Sequence, residues 1–244
     1  MRTANPALNG DAFIGERGVA VGETMSIEGT VNKTSILLLI LLATSCWVWH
    51  LATMRAPFQG WMVLGGIVGF VVALVTIFKK PWAPVTAPLY AACEGLVLGG
   101  ISATLEFRYP GVAVQAVALT FGTLAALLLA YKSGLIPVTQ NFRLGVAAAT
   151  GGIALVYFVS FILSFFHVRV PFLYDASPIS IGISLFVTVI AALNLVLDFD
   201  FIERGASGGL PKYMEWYGAF GLMVTLVWLY LEIVRLLSKM RDRR

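Results

Sequence analysis

The sequence predicts an all-α membrane protein, a bundle of seven transmembrane helices. Three observations predict the bundle. Charged residues make up only 12% of the chain and hydrophobic residues 59%, whereas a soluble domain carries about 25% charged residues. Mean hydropathy is +0.86. Seven apolar runs recur along the chain, each near the roughly 17–25 residues that cross the hydrocarbon layer. An ordinary soluble enzyme is excluded, and 244 residues make one membrane domain.

The elements follow in order. Residues 1–34 contain no apolar stretch and hold Asn5, Asn9, Asp11, Glu16, Glu23 and Glu28, so they read as a flexible aqueous tail rather than a signal peptide. The runs lie at 35–53, 61–78, 88–105, 112–131, 144–166, 179–197 and 217–237. The seven-helix domain therefore spans 35–240, and 241–244 form a basic tail. Lipid offers the backbone no hydrogen-bond partners, so each run is helical, and none alternates as a barrel strand does. Lys79-Lys80-Pro81 ends the second run, Tyr109-Pro110-Gly111 divides the third from the fourth, and Ser177-Pro178 opens the sixth. The glycine-rich connector 203–212 reads as mobile. Trp61, Trp82, Trp216 and Tyr131 near run ends fit an interfacial belt.

Charge sets an expected orientation. An inside N-terminus puts Arg2, Arg17, Lys33, Lys79, Lys80, Lys132, Arg143, Arg204 and Lys212 on the inner side, against Arg55, Arg108 and Arg169 outside. Seven crossings then place Arg235, Lys239, Arg241, Arg243 and Arg244 outside, against the rule; a re-entrant last run would return them. Seven full crossings are the preferred reading. The net charge of +4 sits at the C-terminus and speaks of topology and anionic lipid, not nucleic acid.

Gly65 with Gly69 and Gly95 with Gly99 form GxxxG pairs, which let a second backbone approach closely. A dimer contact is one use; packing within the bundle is the favoured one. Cys46 and Cys93 lie inside apolar runs with no CxxC spacing and read as small buried hydrophobes. His50 and His167 fall at run ends without zinc-like spacing.

Carboxyls at membrane depth carry the functional reading, because lipid cannot solvate them. Glu232 lies in the last run, with Arg235 one turn later as a local counter-ion. Asp198, Asp200 and Glu203 close the sixth run. On a helix Asp198 and Asp200 point about 200° apart, so one site takes at most one of them. Asp200 and Glu203 share a face and read as a solvated helix end with Arg204 as counter-ion. Glu94 in the third run is either a proton or cation ligand or a protonated hydrogen-bonding group. If Asp198 and Glu232 approach, they share one proton and titrate as a unit. Protonated, they hold two helices together; ionised, they repel and attract oxygen-seeking cations such as Ca²⁺. A carboxyl separation of about 2.5–3 Å marks a shared proton.

Four segments carry a resemblance: residues 25–34, beginning Met25-Ser26-Ile27-Glu28; 88–102, with Cys93-Glu94-Gly95; 194–203, with Leu197-Asp198-Phe199-Asp200; and 229–239, with Leu229-Tyr230-Leu231-Glu232. In order and spacing the chain resembles the Bax inhibitor family (transmembrane Bax-inhibitor-motif proteins), specifically its bacterial branch, over about residues 25–240. The resemblance implies six helices wrapped round the last, a multi-pass place in a bacterial inner membrane, and in some members a pH-sensitive calcium leak through an aspartate pair from the sixth and seventh helices. Asp198 and Glu232 match that pair. Glutamate replaces aspartate at 232, Phe199-Asp200 replaces Thr-Gln, the 203–212 connector is longer than in smaller members, and the run 61–78 has no acidic residue.

Two functions compete: a pH-regulated cation leak with Ca²⁺ as cargo and no cofactor, and a non-conducting regulator that binds a membrane protease or stress-response partner. An enzyme is not expected, since HExxH, GxSxG and the P-loop are missing.

Overall fold

The computed structural model describes residues 24–166, 173 and 175–243. Seven helices are long and apolar enough to cross a membrane. They are α1 (Ile27–Thr53), α2 (Gln59–Phe78), α3 (Ala83–Arg108), α4 (Val112–Lys132), α5 (Gln140–Phe165), α6 (Pro178–Ser207) and α7 (Met214–Asp242), with one 3₁₀ turn at Lys80–Trp82 ahead of α3. Residues 1–23, and with them most of the predicted tail, lie outside the described residues, as does His167.

Every apolar run became a helix, but several helices overrun their runs. The tail predicted for residues 1–34 already contains the start of α1. Ser26 caps that helix, its hydroxyl accepting from Gly29 N at 3.0 Å, and Thr30 and Thr34 are buried. Helix α6 continues through the whole acidic cluster to Ser207, and α7 runs to Asp242, taking in Arg241 and Asp242 of the predicted basic tail. Hydropathy marks where lipid lies; capping and side-chain pairing decide where the helix stops. At the other caps, Thr139 and Ser177 accept from Phe142 N and Ser180 N, and the Glu106 carboxylate accepts from Gly111 N at 2.7 Å where α4 begins. Gly111 holds a φ of 86°, a conformation that suits glycine.

Helix α7 is the most buried of the seven and α5 the least. The core centres on α7, with Tyr217, Phe220, Met223, Leu229 and Glu232 almost wholly hidden, and α1, α3, α4 and α6 pack around it. Both GxxxG pairs serve this packing. A Cβ on Gly95 would collide with the Leu41 carbonyl and the Thr44 hydroxyl of α1, one on Gly99 would lie 2.5 Å from Ser45 O, and one on Gly65 2.7 Å from Cys93 O.

Helix α7 crosses the bundle completely. Its first turn meets Lys33 of α1, and its last turn meets Arg108 and Tyr109 at the far end. A re-entrant last segment is therefore ruled out, and the N-terminal end of α1 and the C-terminal end of α7 lie at opposite ends of the bundle. Of the 203–212 connector, expected to be mobile, residues 203–207 belong to α6 and the rest is tied down: Met25 N donates to Leu210 O at 2.7 Å, Thr24 bridges Pro211, and Leu210 is buried.

Candidate functional site

The buried polar groups of α6 and α7 form a ladder along the seam that these two helices make with α5. At the connector end, Asp200 sits between two guanidinium groups: Arg143 of α5 at 3.2 Å, and Arg204 one turn later on α6. Asp200 is buried, so the expectation of a solvated helix end fails for it. The sequence showed Arg204 but not that α5 delivers Arg143 to the same carboxylate. Glu203 is exposed and accepts from the Tyr131 hydroxyl of α4.

Further along, Asp198 points the other way from Asp200, into α7, as their separation round the helix requires. Its carboxyl is 1% exposed and hydrogen-bonded with the Thr225 hydroxyl, and its Oδ2 has no hydrogen-bond partner among the described residues. Close by in sequence, Asn194 of α6 donates to the Thr150 hydroxyl of α5 at 2.8 Å.

Glu232 occupies a separate rung. It accepts from Arg235 at 2.9 and 3.0 Å, from the Tyr157 hydroxyl at 3.0 and 3.2 Å, and from the Trp228 indole at 3.3 Å. Arg235 also donates to the Tyr157 hydroxyl at 2.5 Å and lies over its ring, 5.0 Å from the centroid. No hydrogen bond joins Asp198 to Glu232. Asp198 is level with Thr225, seven residues before Glu232 on α7, and seven residues of helix advance about 10 Å. The two acids thus stand two turns apart, one without a counter-charge among the described residues and one beside Arg235.

Past Glu232, Lys239 is buried and donates to Leu173 O, Ser180 Oγ and Ser184 Oγ at 2.7–2.8 Å. Glu94 of α3 stands away from the ladder, hydrogen-bonded with Tyr90 one turn earlier. Among the described residues no group of three or more His, Cys, Asp or Glu converges as a metal site. Cys93 is buried as expected, whereas Cys46 is exposed.

Sequence reasoning missed the fully buried Glu215. It accepts from Ser26 N at 2.9 Å and Ser26 Oγ at 2.8 Å, and pairs with Lys33 at 2.7 Å and Lys212 at 3.2 Å. It lies between the predicted connector and the predicted last run; Lys212 one turn before it was the available signal. It missed Tyr157 too. Arg143, Thr150 and Tyr157 are spaced by seven, which keeps them near one face of α5, and that polar stripe on an apolar helix was visible in the sequence.

A family model described as Bax inhibitor 1 like matches residues 5–242. The chain belongs to the Bax inhibitor 1-like family. Membership agrees with the seven-helix bundle, the central α7 and a multi-pass place in the lipid bilayer. No curated protein and no solved structure matches the chain significantly. In this member of the family the two acids singled out from the sequence occupy different rungs of the α5–α6–α7 seam.

Proposed function

We propose that this protein is a passive, proton-regulated cation leak of a bacterial inner membrane, with Ca²⁺ as the candidate cargo and Asp198 as the titrating group. One observation supports the reading above the rest: a carboxyl hidden between α6 and α7 with a bare oxygen and, among the described residues, no guanidinium or ammonium paired with it. An isolated ionised carboxylate is costly to bury and tends to neutralise instead. In the packed arrangement Asp198 is the neutral acid, bonded to Thr225. Ionisation makes the closed seam unfavourable and parts α6 from α7, which opens a path whose first oxygen ligands are Asp198 and Thr225. Glu232, paired with Arg235 and accepting from the Tyr157 hydroxyl, ties α5 to α7.

The sign follows: raising pH ionises Asp198 and increases leak, and lowering it closes the seam. The test is calcium uptake into proteoliposomes of the purified protein between pH 5 and pH 8, an interval in which buried carboxyls titrate. Wild-type flux rises with pH, Asp198→Asn stays low and flat, and Glu232→Gln keeps a rising profile. A pH-dependent profile in Asp198→Asn equal to that of the wild type would refute the assignment.

The competing reading, a non-conducting regulator that binds a membrane-protein partner, draws on α5. There Gly145, Gly151 and Gly152 have open space where a Cβ would stand, so a second helix could approach. It predicts no flux in pure liposomes and a co-purifying membrane protein that Gly152→Leu releases.

A further inference from the structure

Helices α1 and α4 both lean on α7 but leave a gap between them. The gap is a cavity of about 370 Å³, walled by α1 and α4 and floored by α3 and α7. That volume lies within the range of about 300–1,000 Å³ typical of ligand pockets. We infer that this cavity is a binding site for one acyl chain of a bilayer lipid, drawn from the leaflet at the C-terminal end of the bundle.

Chemistry selects the occupant. The lining is almost wholly apolar, and its serine, threonine and tyrosine hydroxyls already donate within the protein. Ser45 donates to Gly95 O at 2.9 Å, Thr120 to Ala116 O at 2.8 Å, and Ser102 bonds both Leu98 O and the Tyr230 hydroxyl, the last at 2.7 Å. Water in a cavity needs two to four polar partners, and with the hydroxyl hydrogens committed this lining is left with the Trp49 indole N–H as its side-chain N–H or O–H donor. A polar ligand has the same difficulty.

Length and position agree. The wall runs from Leu38 to Trp49 on α1, about 16 Å at 1.5 Å per residue, close to the depth of one leaflet in a hydrocarbon core of about 30 Å. Its α4 wall lies in the first half of that helix, at the end where α7 finishes. The mouth is continuous with the lipid-facing surface: Leu42, Val117 and Phe121 are 38–39% exposed, and Cys46 is exposed beside them. The molecule that meets this opening at the highest local concentration is a lipid chain.

The test uses full-length protein in vesicles of a phosphatidylethanolamine carrying a diazirine near the end of one acyl chain. After irradiation, labelled residues are mapped by mass spectrometry. Leu42, Cys46, Val117 and Phe121 take up label several-fold above Phe70 of α2 and Phe158 of α5. Those two are 66% and 62% exposed, so mere contact with bulk lipid gives the reverse order. Cys46→Trp, which fills the cavity from α1, lowers labelling at Val117 and Phe121 to the Phe70 level and leaves Phe70 unchanged. If that variant does not fold, Val117→Trp fills the same space from α4, with Leu42 and Cys46 as the readout. Labelling that follows exposure alone, or that a folded filling variant does not alter, overturns the assignment.

Discussion

Tyr157 of α5 and Glu232 of α7 share a hydrogen bond of 3.0 Å, and Arg235 closes the triangle by donating to both. Helix α5 is the least buried span, so its attachment depends unusually on polar side chains, here and at Arg143–Asp200 and Thr150–Asn194. Tyr157→Phe removes the hydroxyl and keeps the ring over Arg235. Loss of a hydrogen bond to a charged group costs about 1.5–3 kcal/mol. Titrating detergent-solubilised protein with denaturant should show that loss, with faster proteolysis confined to α5 and its flanking loops.

Asp200 separates two positive groups. Asp200→Asn removes the carboxylate charge that Arg143 and Arg204 share, and breaking a buried ion pair in this way costs about 3 kcal/mol. Arg143→Gln leaves the Arg204 pair intact and should cost less than half as much. Equal melting temperatures for the two variants would contradict the two-arginine clamp.

The glycines divide into two groups by what faces them. Gly95→Ala forces a methyl into the α1 backbone, and overpacking of this kind costs about 1–3 kcal/mol. Gly122→Ala on α4 meets nothing within 4 Å and should be neutral or slightly stabilising, because alanine favours the helix. Comparison of monodisperse yield and thermal midpoint after detergent extraction distinguishes them.

Glu215→Gln should release the N-terminal end of α1 from the connector, since Lys33 and Lys212 lose the negative charge they share. Lys212→Ala should matter much less: its side chain is 44% exposed, and exposed pairs contribute about 0–1 kcal/mol. Hydrogen exchange at Met25 N, which donates to Leu210 O, reports the release. Unchanged protection in Glu215→Gln would contradict the attachment. Gly29→Ala should reproduce the effect from the other side, because its Cβ would overlap the Glu215 carboxylate.

The fold was legible because lipid imposes a simple demand, about twenty apolar residues for each crossing, and all seven runs met it. Helix ends were less legible: Ser26 and Glu215 extend α1 and α7 beyond the apolar stretch by pairing, which hydropathy does not register. The same holds for the site. Asp198 and Glu232 stood out because carboxyls in apolar runs are rare. Which residue of α7 lies level with Asp198 depends on how far the two helices slide past each other, and no periodicity within either helix records that offset. It proved to be Thr225, two turns short of Glu232.

Ser26 and Glu215 are 189 positions apart in the chain. A polypeptide made from its N-terminus threads α1 into the bilayer long before the residue that secures it exists. Helix α1 therefore waits, its leading end unfastened, until the first turn of α7 has been made, and the clasp cannot close before all of α1–α6 has been synthesised. Shortened products that stop before α7 lack that clasp altogether, which gives quality-control proteases a ready mark of incompleteness.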